Sequence, residues 1–277
     1  MTDEPAVRRE TFGSVVLLTM NRPERGNTLD AEVLDGLVTH TNELVDDDSV
    51  RALVLTGAGD HFSLGGALTD FEEALSGDEH GALMYCKERT EALATVVLNL
   101  FGMPFPVIAA VNGQAAGAGF SLTLACDLRI AAQHAKLHFA YGSLGASTDG
   151  GMSWLLPRVV GPARALALLL EQPIIRTPRA KQEGLVTEVV PAGELRDRAL
   201  RLAADLGQNA RHSVTAAKRL VHASAFATLA EHMREEHRTF GDGLLGQDMR
   251  TALAARRIGE MPSFGLSGGS DEYQPVR

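Results

Sequence analysis

The sequence contains little cysteine and few aromatic side chains. Of its 277 residues, two are cysteine, Cys86 and Cys126, and 5% are aromatic. The cysteines lie far apart and lack metal-ligand spacing, so neither a disulfide framework nor a zinc site is expected, and a reducing cytoplasm fits best. The first ten residues are polar and lack the apolar core of a signal peptide.

Basic residues are outnumbered by acidic ones. The chain has 26 Lys and Arg against 35 Asp and Glu, which gives a net charge of −9 at pH 7. Non-specific nucleic-acid binding requires a basic surface and is therefore not expected. A local group of arginines and backbone N–H groups still allows an anionic ligand.

The sequence also lacks a long uninterrupted apolar run. Its longest apolar stretch, residues 107–126, is broken by Asn112, Gly113 and Gln114 and by further glycines. This pattern predicts a buried strand and helix, and no membrane span is expected. Apolar residues make up 45% and charged residues 22%, which is typical of a soluble globular chain with a sizeable core.

Apolar runs bounded by turn residues alternate with helical periodicity over the first two thirds of the chain. The runs predict strands over Val15–Met20, Arg51–Thr56, Val107–Val111, Leu128–Ala132, Lys136–Phe139 and Val186–Val190. Asp30 is expected to cap a helix, and further helices are expected over Ala82–Leu100 and Ala115–Ala125. The acidic segment 69–80 is expected to be exposed and mobile.

This alternation predicts an α/β fold, and the last third of the chain is predicted to be helical. We expect an α/β core over residues 1–195, a helical region over 196–265 and a loose Gly/Ser-rich tail over 266–277. No internal repeat of fixed period is present in the sequence.

Five segments combine glycines, small residues and turn formers. They are NRPERGNTL at 21–29, HFSLGGAL at 61–68, VIAAVNGQAAGAGFSL at 107–122, DGGMSWLLPR at 149–158 and EGLVTEVVP at 183–191. Their order and spacing resemble the crotonase family of enoyl-CoA hydratases and isomerases. The resemblance implies a spiral of strand–strand–helix units with a C-terminal helical region that builds homotrimers, often paired into hexamers. It also implies an acyl-CoA substrate and no separate cofactor.

The resemblance places an oxyanion hole at the backbone N–H groups of Gly66 and Ala118. Such donors are aimed at the negative charge that develops on the thioester oxygen, and one donor is worth about 3–4 kcal/mol. Small residues around both positions let the backbone approach a ligand closely. Either glycine loop alone would be better explained as a tight turn, so the hypothesis depends on both occurring in family order.

The acid and base residues depart from the hydratase pattern. The two glutamates that hydratases of the family use correspond here to Ser121 and Tyr141. Water addition requires a base and an acid, so ordinary hydration is expected to be poor. Asp149 matches the catalytic Asp of family members that shift double bonds, although it also suits the N-cap of a helix that starts near Met152.

Three functional hypotheses follow. The first is a double-bond isomerase that uses Asp149 as its base and acid. The second is a hydratase, or another acyl-CoA enzyme, in which Tyr141 and a bound water replace the glutamates. The third is an acyl-CoA binding protein that has kept the ligand site and lost its chemistry.

The resemblance also assigns the substrate contacts. Arg25 and Gly26 would lie on the adenine side of coenzyme A, and Ala67 and Leu68 would run beside the pantetheine. Ser121 is expected at the substrate. The segments 69–80 and 82–100 would line an apolar acyl pocket, through Leu75, Leu83 and Met84 among others. Arg256 and Arg257 are candidates for the phosphates, Asp127 is expected to be structural, and no metal site is expected.

Overall fold

The computed structural model describes residues 4–264 of the chain. Within them the strands are β1 Val7–Phe12, β2 Val15–Met20, β3 Ala52–Gly57, β4 His61–Ser63, β5 Val107–Val111, β6 Gln114–Ala116, β7 Leu128–Ala132, β8 Lys136–His138, β9 Ile174–Arg176 and β10 Glu188–Val190. The helices are α1 Ala31–Val45, α2 Leu68–Ser76, α3 Glu79–Gly102, α4 Ala118–Ala125, α5 Met152–Val160, α6 Pro162–Glu171, α7 Thr177–Gln182, α8 Leu195–Gly207, α9 Arg211–Ser224, α10 Leu229–Leu245 and α11 Gln247–Arg257.

The strands form two sheets. One has six strands in the order β1-β2-β3-β5-β7-β10, and the other has four in the order β4-β6-β8-β9. Strands β2, β3, β5, β7 and β10 run parallel to their neighbours, as do β4, β6 and β8, whereas β1 and β9 are antiparallel edge strands. The architecture is α/β, as the alternation in the sequence predicts.

Each central strand divides its side chains between two apolar clusters, because successive residues of a strand point to opposite faces. On β2, Val16 and Leu18 pack into the cluster that contains α1, α3, α4 and α5. Val15 and Leu17 pack into the second cluster, together with the buried face of α8. The sheet is therefore covered on both faces, which explains why its strands read as continuous apolar runs.

Several local expectations are confirmed. Asp30 caps α1, since its side chain accepts a hydrogen bond from the N–H of Val33 at 3.0 Å. The expected strand Val107–Val111 has the same bounds in the structure, and the chain after residue 194 is helical up to Arg257. The proposed tail, 266–277, lies outside the described residues. Across residues 4–264, none of the helices combines the length and apolar character needed to cross a bilayer.

Two expectations differ from the structure. The helix expected from Ala115 starts at Ala118, because Gln114–Ala116 pairs with β4 and β8 as strand β6. The segment 69–80, expected to be exposed and mobile, is largely exposed but is helical, and it forms most of α2 and the start of α3. The segment is acidic, but α2 also has an apolar stripe at Leu68, Phe71 and Leu75. The spacing of these three residues places them on one face of the helix.

Candidate active site

Two backbone N–H groups are left free, one at the start of α4 and one in the loop between β4 and α2. Gly117, with φ 51° and ψ −125°, is the N-cap of α4, and Ala118 is its first residue. Across residues 4–264, the N–H groups of Ala118 and Gly66 donate no hydrogen bond to a protein acceptor. The first N–H groups of a helix lack partners within the helix, and the positive end of its dipole favours an anion. The two predicted donors are thus available to a ligand.

Gly65 brings the two loops together. A Cβ atom at this position would lie 2.7 Å from the main-chain oxygen of Ala116 and 3.2 Å from the nitrogen of Ala118, and the backbone φ is +85°. Both the contact and the conformation require glycine. The Ser63 hydroxyl donates to the main-chain oxygen of Asn27 at 2.7 Å and accepts from the Gly65 N–H at 3.2 Å, which fixes the loop.

A carboxylate, that of Asp149, belongs to a hydrogen-bonded group beside these loops. The Tyr141 hydroxyl donates to Asp149 Oδ1 at 2.9 Å. Ser121 Oγ lies 3.0 Å from the Tyr141 oxygen and 3.1 Å from the main-chain oxygen of Asp149. A hydroxyl has one proton, so Ser121 donates to only one of them at a time. The three residues form a single hydrogen-bonded group, which Ser121 joins to α4.

Asp149 does not cap a helix, so the alternative reading of this residue is wrong. Helix α5 begins after Gly151, whose φ is 75°, and has no side-chain cap. The Asp149 carboxylate instead accepts a hydrogen bond from the Tyr141 hydroxyl. Gly150 and Gly151 supply the left-handed turn that lets the chain reach α5 without a capping side chain.

Burial shifts the ionisation of both partners. It raises the pKa of the Asp149 carboxyl above its ordinary value, and the hydrogen bond from Tyr141 lowers that pKa in part. Burial, and next the negative charge of Asp149, raise the pKa of the Tyr141 phenol. Tyr141 therefore stays protonated and acts as a donor, whereas Asp149 is the group that gains and loses a proton.

Tyr141→Phe should raise the pKa of Asp149 further, because it removes a hydrogen bond that favours the ionised carboxylate. The pKa is measured by carbon NMR titration of the labelled carboxyl. Tyr85→Phe is a matched control, since Tyr85 lies on α3 and makes no hydrogen bond to Asp149. An unchanged or lower Asp149 pKa in Tyr141→Phe would contradict the assigned hydrogen bond.

Two cavities meet at these groups. The first, of about 550 Å³, is called the α3 cavity and is lined mainly by apolar side chains, including Leu29, Leu34, Phe71, Leu75, Tyr85 and Leu93. The second, of about 820 Å³, is called the Arg25 cleft and is lined by Arg25, Thr28, Ala67, His138 and Tyr141 among others. Gly66, Ala118 and Asp149 line both. Convergent polar groups at the junction of two cavities are typical of a ligand site.

The residues predicted to contact the substrate do not all line the same cavity. Leu68 lines both cavities, while Ala67 and Arg25 line the Arg25 cleft. The Arg25 side chain is 63% exposed and forms an ion pair with Asp30 at 3.3 Å. Gly26 contributes through its main-chain oxygen, which accepts from the N–H of Leu64 and so positions the following loop.

The structure corrects the expectation that Ser121 contacts the substrate. Ser121 is fully buried and lines neither cavity. It lies beneath Tyr141 and Asp149, which it contacts through its hydroxyl. The acyl-pocket expectation is also corrected in part: Leu75 lines the α3 cavity, but Leu83 and Met84 do not.

Six residues of α3 line the α3 cavity and were not predicted individually from the sequence. They are Ala82, Tyr85, Cys86, Arg89, Thr90 and Leu93. Tyr85, Arg89 and Leu93 lie four residues apart, a spacing that places them on one helix face. This spacing was visible in the sequence, but it does not indicate which face meets the cavity.

Three further candidate residues lie outside the two cavities. Asp127 accepts from the N–H of Val107 and pairs with Lys218, both at 2.8 Å, which confirms its structural role. Arg256 and Arg257 lie in the last turn of α11, and neither lines the two cavities. Within residues 4–264, no group of His, Cys, Asp or Glu has an arrangement that could hold a metal ion.

Known proteins match the chain over nearly its whole length. The family model for enoyl-CoA hydratase/isomerase matches residues 10–257. The 1,2-epoxyphenylacetyl-CoA isomerase of Escherichia coli K12 is 37% identical over 253 residues, which cover 90% of this chain and 94% of that protein.

Solved structures show the same fold. An enoyl-CoA hydratase from Polaromonas sp. JS666 superposes with a TM-score of 0.86 at 32% identity, covering 93% of this chain and 98% of that one. An enoyl-CoA hydratase from Bacillus anthracis gives a TM-score of 0.86 at 28% identity, covering 94% and 98%. These matches confirm the fold that the five sequence segments imply.

Proposed function

Because the chain belongs to the enoyl-CoA hydratase/isomerase (crotonase) family, we propose that it shifts a double bond along the acyl chain of an enoyl-CoA thioester. The observation that carries the proposal is the single carboxylate, Asp149, hydrogen-bonded to a protonated Tyr141 where the two cavities meet. The free N–H groups of Gly66 and Ala118 line the same junction.

The reaction needs one proton carrier and one anion site. The ionised Asp149 takes a proton from the α carbon of a 3-enoyl-CoA, and the electron pair moves into a dienolate whose oxygen accepts hydrogen bonds from Gly66 and Ala118. Protonated Asp149 then returns the proton to the γ carbon, which leaves the 2-enoyl isomer. No water or redox partner is consumed, so one carboxylate suffices.

The two cavities suit the two parts of the substrate. We assign the acyl chain to the α3 cavity, because its lining is mainly apolar. Coenzyme A is assigned to the Arg25 cleft, where Arg25 and the backbone of Ala67 and Leu68 are accessible. The thioester then lies at the junction, beside the free N–H groups of Gly66 and Ala118.

Hydration is the competing activity, since several relatives are named hydratases. It needs a second group that accepts a proton from water. Tyr141 stands in the place of one hydratase glutamate, and its raised pKa keeps the phenol protonated. The similar E. coli protein is named as an isomerase of a CoA thioester, which supports isomerisation.

The proposal is tested by supplying 3-enoyl-CoA thioesters of several chain lengths. We expect conversion to the 2-enoyl isomer, seen as the absorbance of the conjugated thioester and identified by mass and NMR. Deuterium placed at the α carbon of the substrate should appear at the γ carbon of the product, because Asp149 returns the proton that it removes. Ready water addition to crotonyl-CoA without isomerisation would favour the hydratase reading. Binding of thioesters without turnover of any of them would favour the non-catalytic reading.

The homotrimer or hexamer implied by the resemblance stays a prediction. Large apolar side chains are exposed along the C-terminal helices, at Phe226, Leu229, Met233, Phe240, Leu244, Leu245, Leu253, Ile258 and Met261. Exposed apolar patches of this kind mark interfaces. The molecular mass in solution tests the oligomeric state.

A further inference from the structure

Among the described residues that line the α3 cavity, one has a cationic side chain, Arg89. Arg89 lies on the cavity-lining face of α3, one turn from Leu93 in the N-terminal direction. Leu93 lies at the end of the cavity near Asp149. A Cβ atom built on Gly150, the residue after Asp149, would lie 3.1 Å from a methyl group of Leu93. Helical side chains lean toward the N-terminus of their helix, so Arg89 points away from Asp149 and toward Tyr85.

The guanidinium of Arg89 lacks hydrogen-bond acceptors. Its Nε and Nη1 atoms are buried and have no partner. Its Nη2 atom lies 3.9 Å from Oε2 of Glu88, beyond hydrogen-bond distance, and Glu88 is 61% exposed. The ring of Tyr85 lies 5.9 Å from the guanidinium carbon and offers a π face, but no acceptor oxygen for these N–H groups.

Leaving these donors unpaired is unfavourable. The Arg89 side chain is 21% exposed, so water reaches it only in part. A buried N–H group without an acceptor loses its hydrogen bonds to water and forms none with the protein. The resulting free-energy cost is larger for a charged group. Most of the described residues that line the cavity are apolar. Besides Arg89, the charged residues among them are Asp149 and Glu72, and Glu72 is exposed.

We propose that Arg89 binds a carboxylate at the end of the acyl group remote from the thioester. The inference rests on the proposed function for the assignment of the acyl chain to this cavity. A carboxylate brings the opposite charge and two oxygen acceptors, which a guanidinium binds more strongly than a neutral acceptor. It would meet Nη2 first, since Nη2 is the nitrogen that is not buried, and a rotation of the side chain would bring Nε or Nη1 to the second oxygen. The substrate class is then a CoA thioester of a dicarboxylic acid, with an apolar chain between its two ends.

A carboxylate at the far end of the acyl group is compatible with the apolar chain that the sequence predicts. The apolar residues of segments 69–80 and 82–100 indicate a hydrocarbon acyl group, and the lining of the α3 cavity agrees along most of its wall. Arg89 adds a polar end to that cavity. The remaining carbons of the acyl chain would bridge the space between Asp149 and Arg89.

The test uses pairs of 3-enoyl-CoA thioesters that differ only at the distal carbon, methyl or carboxylate, over several chain lengths. At the best length, the wild-type enzyme should prefer the carboxylate member. Arg89→Met should lower kcat/KM for that member by about 10- to 100-fold and leave the methyl member unchanged or improved. Arg89→Lys should retain part of the preference, because it keeps the charge.

Lys87→Met is the matched control. Lys87 lies on α3 two residues from Arg89, is 62% exposed and does not line the cavity, so the variant removes one positive charge without touching the site. It should behave like the wild type with both substrates. A loss of carboxylate preference in Lys87→Met would show that net charge, and not Arg89, determines it.

Binding separates this inference from the proposed reaction. Saturated thioesters of the same pairs are titrated by calorimetry into the wild type and Arg89→Met. Tighter binding of the carboxylate member, lost in Arg89→Met, supports the inference even if no isomerisation is found. Equal binding of both members by the wild type overturns it, even if isomerisation is confirmed. An equal loss for both members in a folded Arg89→Met also overturns it, because Arg89 would then only shape the cavity.

Discussion

Asp149→Asn should lower kcat/KM for isomerisation by about 10³- to 10⁴-fold, because one residue carries the proton in both steps. Asparagine has nearly the same shape and can still accept the hydrogen bond from Tyr141, so the geometry is expected to persist. Steady-state kinetics measure the loss. Transfer of deuterium from the α to the γ carbon should fall in parallel, since the α proton is no longer removed.

The same variant should be more stable than the wild type at neutral pH. Burial raises the pKa of Asp149 in the folded protein, so its ionised form is less favourable there than in the unfolded chain. That cost is absent below the unfolded pKa of about 3.9 and is fully present once the pH exceeds the folded pKa. Asparagine never ionises. The difference in unfolding free energy should therefore disappear as the pH falls to about 4, which urea titrations at several pH values measure.

The activity of the wild type has a related pH dependence. The free enzyme needs an ionised Asp149, so kcat/KM should fall at acid pH with a midpoint above the ordinary Asp value of about 3.9. Full activity in Asp149→Asn would remove Asp149 from the mechanism. A variant that is both inactive and less stable at neutral pH would instead show that Asp149 supports the structure.

Gly65→Ala should reduce kcat/KM by about 10²- to 10³-fold, the effect of losing one oxyanion donor. The new methyl group would lie 3.2 Å from the Ala118 nitrogen and 2.7 Å from the Ala116 oxygen, so the loops must move apart. The donors of Gly66 and Ala118 would then no longer converge on one oxygen. Stopped-flow or steady-state assays at saturating substrate should show the loss mainly in kcat, since the donors act on the transition state.

Gly184→Ala provides the matched control. Gly184 also has a positive φ, +75°, but a Cβ there has no atom within 4 Å. It carries the same type of backbone strain without the contact, so it should cost stability and leave kcat unchanged. Thermal unfolding of both variants separates stability from catalysis. A Gly65→Ala enzyme that is folded and retains full kcat would exclude this loop from the oxyanion hole.

The sequence was sufficient for the features that depend on local chemistry. The buried strands appear as apolar runs because both faces of the main sheet are covered, and Asp30 caps α1 as its residue type suggests. The edge strands β1 and β9 were not predicted, because an antiparallel edge pairs on one side only and carries mixed polarity. Helix α2 was not predicted because it has as many acidic residues as residues in its apolar stripe, three of each.

The sequence by itself determined the two glycine loops, the absence of the hydratase glutamates at Ser121 and Tyr141, and the retained Asp149. Only the tertiary structure decided how these residues act. The Tyr141 hydroxyl reaches Asp149 because β8 and the turn before α5 meet beside α4, and Ser121 is buried beneath them. Arg89 lines the cavity because the burial of Leu93, Val96, Val97 and Leu100 fixes the rotation of α3. Helical spacing defines a face, but its environment depends on packing with distant segments.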